Sequence, residues 1–313
     1  MDRRSFITKA GLIGVGATAG LSLWSEAQAH PAGQSTKRLV ILHTNDTHSR
    51  LDPFPDDGRK WGGLGGIARR AALVQSIRAT EHQVLLLDSG DIVQGTPYFN
   101  FFGGEPELKA MSAMGYDAAT LGNHDFDNGL KGLGRMLPHA TFPYLCANYD
   151  FGKTVLSGRF EPYKVFDKGG VKIGVFGLGI AFEGLVLPTA YGATVWQDPL
   201  PIARQMVDHL RQKLGCDYII CLSHLGLTYG NDKVSDRLLA KSTPGLDLIL
   251  GGHTHTFMDQ PERVLHPGGQ ETIINQVGWA GVWLGQIEVE FGAGQAPKTS
   301  ARLPYALDNK IVG

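Results

Sequence analysis

Five short apolar runs recur along this chain, and each ends in residues able to bind a metal ion or carry a proton. They are Leu39–Leu42, Val84–Leu87, Ala118–Leu121, Tyr218–Leu222 and Leu246–Leu250, each of strand length and apolar enough to be buried on both faces. Segments of helical pattern alternate with them: Ile67–Arg78, Glu105–Met114, Leu130–Leu137, Ile202–Leu214 and Lys233–Ala240. The alternation predicts a layered α/β fold with largely parallel central strands. Tyr163–Lys168 and Val171–Phe176 meet at Gly169-Gly170 and read as a β-hairpin. Thr272–Val277 and Val282–Phe291 are expected as further, antiparallel strands. The last twenty residues or so lose periodicity and read as a tail. With no Pro/Ser-rich linker, one domain is the simplest count.

The residues after each strand carry the chemistry. Asn45-Asp46-Thr47-His48 follows the first and Asp88-Ser89-Gly90-Asp91 the second. Gly122-Asn123-His124-Asp125-Phe126-Asp127 follows the third, Ser223-His224 the fourth, and Gly251-Gly252-His253-Thr254-His255 the fifth. In an α/β sheet, the carboxyl ends of the strands form the ligand-binding edge. Taken singly these are weak signals, since a lone histidine after a strand is usually just hydrogen-bonded and Asp-Ser-Gly-Asp passes for a turn. Five on one edge point to a metal site built from Asp46, His48, Asp91, Asn123, His224, His253 and His255. That set exceeds what one first-row ion takes, so two divalent ions sharing a carboxylate fit better. Nitrogen and oxygen donors without cysteine suit Mn, Zn or Fe(II) over Ca or Cu(I). Two such ions outweigh the charge of Asp46 and Asp91 and leave a cationic pair. A pair of this kind can clamp a phosphate-like anion and activate a shared water, which makes hydrolysis the natural chemistry.

Composition narrows the partners. The 29 Lys+Arg and 30 Asp+Glu nearly cancel, which argues against a nucleic-acid polymer held by charge. A hydrophobic content of 42% supports a full core. The 42 glycines follow no Gly-X-Y period and are expected at turns. Cys146, Cys216 and Cys221 are too few for a disulfide scaffold and read as buried free thiols.

Residues 1–29 read as an address. Arg3-Arg4-Ser5-Phe6-Ile7-Thr8-Lys9 is a basic start, Ala10–Leu23 an apolar Gly/Ala-rich run, and Ala27-Gln28-Ala29 a small-x-small cleavage pattern. The apolar run is shorter than the ~20 residues a membrane span needs, so no stable membrane insertion is expected after cleavage. The paired arginines resemble a twin-arginine export signal and imply a periplasmic or otherwise extracytoplasmic protein. The expected organisation is a leader (1–29), a polar lead-in (30–37), a catalytic domain (38–295) and a tail (296–313).

Taken together, Leu42-His43-Thr44-Asn45-Asp46-x-His48, Gly63-Leu64-Gly65-Gly66-Ile67-Ala68-Arg69, Asp88-Ser89-Gly90-Asp91, Gly122-Asn123-His124-x-Phe126-Asp127, His224 and Gly252-His253-x-His255 resemble the calcineurin-like metallophosphoesterases. More specifically, they resemble the N-terminal catalytic domain of bacterial periplasmic 5′-nucleotidase/UDP-sugar hydrolases. The resemblance implies a single-domain αββα fold, a β-sandwich flanked by helices. It implies one ion on Asp46, His48, Asp91 and His255 and a second on Asp91, Asn123, His224 and His253, with Asp91 bridging. Water shared by the ions would be the nucleophile. Asn123 and His124 would touch the phosphate, and His124, oriented by Asp127, would protonate the leaving group. A plainer role for Asp127 is to cap the helix that begins near Gly129. His43 belongs to the pattern but lies within the first strand and reads as structural; His82, His139, His209 and His266 match nothing and read as surface residues.

The implied substrate is a small phosphate ester, with a 5′-nucleotide monoester first. Phosphodiesters, nucleotide sugars and thiosulfate esters are alternatives on the same metals, and a subunit needing a partner for its substrate site is the non-enzyme alternative. Three departures from the pattern stand out. Asp125 replaces a common Glu, a change expected to be neutral, and His255 stands where close relatives often carry Gln. The second, C-terminal domain that carries base-stacking aromatics in those relatives has no counterpart expected within these 313 residues. Local substitutes are Tyr98, Phe99, Phe101 and Phe102 in Gln94–Gly104, Phe54 and Trp61 in Leu51–Gly66, and Trp279, although most are expected to pack beneath their loops.

Overall fold

The structure, a computed structural model, describes residues 36–311. The expected leader and nearly all of the polar lead-in lie outside the described residues. In chain order the first half contains β1 (Lys37–Thr44), α1 (Ile67–Thr80), β2 (Val84–Asp88), α2 (Pro97–Phe102), α3 (Glu105–Met114), β3 (Ala118–Ala119) and α4 (Gly129–Met136). There follow β4 (Tyr149–Asp150), β5 (Tyr163–Asp167), β6 (Lys172–Gly179), α5 (Pro188–Tyr191), β7 (Val195–Trp196), α6 (Pro199–Asp208), β8 (Tyr218–His224) and α7 (Asp236–Ser242). The chain closes with β9 (Leu248–Gly251), β10 (Glu262–Leu265), β11 (Glu271–Asn275), β12 (Trp283–Phe291), β13 (Lys298–Ala301) and β14 (Tyr305–Ala306).

Two six-stranded sheets result, one ordered β13-β12-β1-β2-β3 with β14 also on β12 and the other β10-β11-β9-β8-β6-β5, while β4 and β7 pair separately. The expected parallel centre is present in each: β1, β2 and β3 run parallel, as do β6, β8, β9 and β11. Antiparallel strands close the edges. Successive side chains of a strand face opposite ways, and this sorts the apolar runs into layers. Leu39, Ile41, Leu85 and Leu87 meet Val175, Ile220, Leu222 and Leu248 between the sheets. Val40, Leu42 and Leu86 face the other way onto Leu73, Val74, Leu108 and Leu133 of the helices. Ile219, Cys221 and Ile249 do the same on the far side, against Ala203, Val207 and Leu239. The outcome is a helix-sheet-sheet-helix stack with all three cysteines buried and free.

Several expectations are corrected. The pattern at Thr272–Val277 predicts an antiparallel strand, but β11 runs parallel to β9 and is antiparallel only to β10, a strand whose half-exposed alternation carries too little apolar signal. As far as residue 311, the stretch expected as a tail is not loose: β13 and β14 both pair with β12, and Leu307 is fully buried. Only four and two residues long, these strands show no period that could be read. The aromatic stretch expected as a loop folds as α2, started by Pro97 and closed by Gly103 at φ 61. His266 is buried rather than exposed and bonds Thr272 Oγ1 at 2.9 Å. Among the described residues, no helix is long and apolar enough to cross a membrane.

Leu307 also takes part in two backbone bonds: its N–H donates to Val282 O, and its carbonyl accepts from Gly65 N–H. Leu307→Ala should therefore lower the unfolding free energy by about 2–5 kcal/mol, as for other buried leucines. Urea denaturation checks this; a change within about 0.5 kcal/mol, as expected at an exposed position, would restore the tail.

Candidate metal centre

All the chemistry-bearing loops leave the carboxyl ends of parallel strands, and the two sheets bring those ends together. Ser89, after β2, donates from Oγ to Leu250 O of β9 at 2.7 Å, and its carbonyl accepts from His224 Nδ1, the last residue of β8, at 2.7 Å. The backbone N–H of His253 reaches both oxygens of Asp46 at 3.0 Å. These bonds tie β1 and β2 of one sheet to β8 and β9 of the other at the site itself.

Two clusters form there, Asp46 with His48 and His255, and Asp91 with His224 and His253, each with its ligand atoms within 4.8 Å of one another. Asp91 stands between them, its Oδ2 3.1 Å from His224 Nε2 and 4.0 Å from His48 Nε2. Asp46 Oδ1 lies 3.3 Å from His255 Nε2, and the Nε2 atoms of His48 and His255 face each other at 3.1 Å. Asn123 Oδ1 adjoins His253 Nδ1 at 2.8 Å. The seven residues expected as ligands thus lie together at one edge of the fold.

The local backbone is costly. Asp46, His48, Asp91, His253 and His255 all have φ between 49° and 71°, a region that non-glycine residues rarely occupy and that marks functional sites. Glycine makes room for it. A Cβ on Gly122 would strike the Asp91 carboxylate, and one on Gly252 would sit 2.9 Å from His224 Nδ1. Two carboxylates nearby are not ligand candidates but hold the loops. Asp88 accepts from Thr44 Oγ1 at 2.6 Å and Gly90 N–H at 2.9 Å. Asp125 accepts from Gly122 N–H at 2.8 Å and from Asp91 N–H at 3.3 Å, and burial with the nearby Asp91 charge raises it to about 7. Asn45 anchors Asp46 Oδ2 and Gly278 O, both at 2.6 Å. In the sequence, Asn45 stands out only as part of a motif and Asp125 only as a substitution.

The donors suit divalent ions. His224 gives its Nδ1 hydrogen to a carbonyl, which directs the buried Nε2 into the cluster toward Asp91 Oδ2. Burial alone would lower the His224 pKa, but Asp91 and Asp46 outweigh it and push it up to about 10. Without an ion this histidine carries the charge that the carboxylates demand. His253, by contrast, is lowered to about 4 by burial and the nearby His224. His43 is buried and structural, bonding Asn275 Nδ2 at 3.0 Å.

At the rim, His124 Nδ1 lies 2.9 Å from Asp127 Oδ2. Asp127 does not cap α4, whose N-cap is Asn128. The Asp127 hydrogen bond raises the His124 pKa above its ordinary 6.5. Most candidate aromatics are engaged: Phe99 is buried, Trp61 stacks on Phe257, Phe54 meets Trp279 edge-on, and Trp279 stacks on His255.

Comparison with known proteins agrees with this geometry. The calcineurin-like phosphoesterase profile matches residues 39–257. A snake venom 5′-nucleotidase from Gloydius brevicauda is 36% identical over 87% of this chain and 48% of its own. The structure of a 5′-nucleotidase precursor from Thermus thermophilus aligns with a TM-score of 0.74 and 34% identity, covering 86% of this chain and 55% of that one. Haemophilus influenzae NAD nucleotidase aligns with a TM-score of 0.76 and 27% identity, over 87% and 50%. The chain spans about half the length of the curated relatives it matches.

An ion held by His224 would displace its proton, so Mn(II) binding near neutral pH should release about one proton and strengthen as pH rises. Calorimetry in buffers of different ionisation enthalpy reads this directly. Binding heat independent of buffer would contradict it.

Proposed function

The chain belongs to the calcineurin-like phosphoesterase family, and from that premise we propose that it is a two-metal hydrolase of phosphate monoesters, with 5′-nucleotides as the leading substrates. One observation supports this above the rest: the Asp91 carboxylate lies between two clusters of histidine and aspartate, with a His124–Asp127 pair at their edge. On this reading Asp46, His48, Asp91 and His255 hold one ion. Asp91, Asn123, His224 and His253 hold the other. Mn, Zn and Fe(II) all suit the donors. When bound, the ions neutralise phosphate charge and activate water.

The remaining steps belong to this chain. Asn123 and His124 follow β3 and present an amide and an imidazole to the phosphate. Asp127 accepts from Nδ1 of His124, which fixes the ring and leaves Nε2 to give a proton to the departing alkoxide. A partner carboxylate favours the imidazolium, so the general acid is kept charged beside a cationic site. The residues from 38 onward form the catalytic body. Arg3-Arg4 and the apolar run after them support export by the twin-arginine route, with the periplasm as destination.

The test is hydrolysis of AMP by the Mn(II)- or Zn(II)-loaded protein, abolished by chelation; activity that survives both chelation and His124→Ala would overturn the mechanism. His124→Ala should lower kcat for AMP by about 10²–10⁴-fold. It should cost far less with p-nitrophenyl phosphate, whose leaving group needs no proton. The folded pKa of His124 is raised, so its acid function is present below that pKa and lost as pH climbs through it. Asp127→Asn should therefore move the alkaline limb of the kcat profile to lower pH. An unmoved limb would remove Asp127 from the mechanism.

A further inference from the structure

Two phenylalanines on α2 remain without an occupant. Phe101 and Phe102 are 80% and 56% exposed. With Leu51, Pro97 and Tyr98 they wall a recess of about 260 Å³, completed by Ser49, Arg50, Asp52 and Thr96. A six-residue helix that leaves two aromatic rings in water marks a binding surface more than a packing fault.

The recess adjoins the loop that carries His48. Ser49 follows the candidate ligand His48 directly. Its backbone N–H bonds Ile92 O and its carbonyl accepts from Thr96 Oγ1, each at 2.8 Å. Gly95 lies so close to His48 that a Cβ there would sit 3.2 Å from the His48 Cβ. The segment that launches α2 is thus pinned against the ligand loop. Ser49 supplies a second observation, since it is only 1% exposed and its hydroxyl has no hydrogen-bond partner.

The chemistry of the lining selects an occupant. The centroids of Phe101 and Phe102 are 6.3 Å apart at 58°, and those of Tyr98 and Phe102 6.4 Å apart at 33°, so the rings do not stack on one another. Polar groups border them: Tyr98 Oη donates to Asp52 Oδ2 at 2.9 Å, and Arg50 is close by, its guanidinium over Phe54. Apolar walls with a few placed donors and acceptors suit a flat heterocycle. We propose that this recess is the subsite for the base of a nucleoside monophosphate whose phosphate sits at the metal centre. The inference rests on the phosphomonoesterase reading and deepens it. It places base recognition on α2 of this same chain.

The test uses the full chain and the double variant Phe101→Ala/Phe102→Ala, whose exposed side chains are not needed for the core. Ligand-observed NMR follows adenosine, with ribose as control, titrated into the metal-free protein. Kinetics of the Mn(II)-loaded protein compare AMP with ribose 5-phosphate. The variant should weaken adenosine binding about tenfold and lower the AMP-to-ribose 5-phosphate ratio of kcat/KM by a similar factor, the size expected for lost base stacking. An unchanged ratio, or equal losses on both substrates, overturns the proposal. So does a changed oligomeric state with adenosine affinity intact, which would make the recess a protein contact. If the loaded wild type hydrolyses neither ester, the hydrolase reading fails, and the adenosine titration alone decides on the recess.

Discussion

Two aspartates buried against each other's histidines set the terms for the rest of the molecule. Asp46 and Asp91 are fully or almost fully buried, and removing such charges from water costs several kcal/mol each unless partners compensate. The fold answers with fixed donors. His253 N–H and Asn45 Nδ2 serve Asp46, and His124 N–H serves Asp91 Oδ1 at 2.7 Å. What remains is a concentration of negative charge facing imidazole nitrogens, a donor set that suits a divalent ion. The left-handed conformations of five candidate ligands, at about 1–3 kcal/mol each, are tolerable only because surrounding bonds over-determine them.

The β-sandwich is the device that makes this convergence possible. A single open sheet gathers ligands along one line of strand ends. Two face-to-face sheets bring two such lines together, so Asp46 and Asp91 from one sheet meet His224 and His253 from the other. The apolar layer between the sheets, with Leu87 and Leu222 fully buried, stops just below the site. Polar stitches then take over, as Ser89 bonds both Leu250 O and His224. Rigidity beneath the candidate metal centre and hydrogen bonding around it are consecutive parts of the same strands.

The central strands and the candidate ligands that follow them are legible in the sequence for two physical reasons. Burial on both faces leaves a run such as Val84–Leu87 no polar positions, and metal ligation restricts residue type. What escapes has physical reasons too. β10 alternates burial weakly, and β13 and β14 are held by pairing to β12 rather than by apolar content of their own. α2 has no polar face by which a helix could be recognised, because Phe101 and Phe102 point outward. Asp125 looks like a neutral substitution, yet its carboxylate binds the N–H groups of Gly122 and Asp91. Hydrogen bonds to backbone leave no spacing signature. His266 reads as a surface residue on similar grounds, since its partner Thr272 comes to it only through the pairing of β10 with β11.

The central claim is that Asp91 joins two ions into one site. Electron paramagnetic resonance of the protein loaded with Mn(II) measures this most directly, because ions bridged at about 3.5–4 Å interact magnetically. The account predicts a spin-coupled spectrum at two Mn(II) per chain, replaced by isolated-ion signals in Asp91→Asn. A single uncoupled Mn(II) per wild-type chain would contradict it.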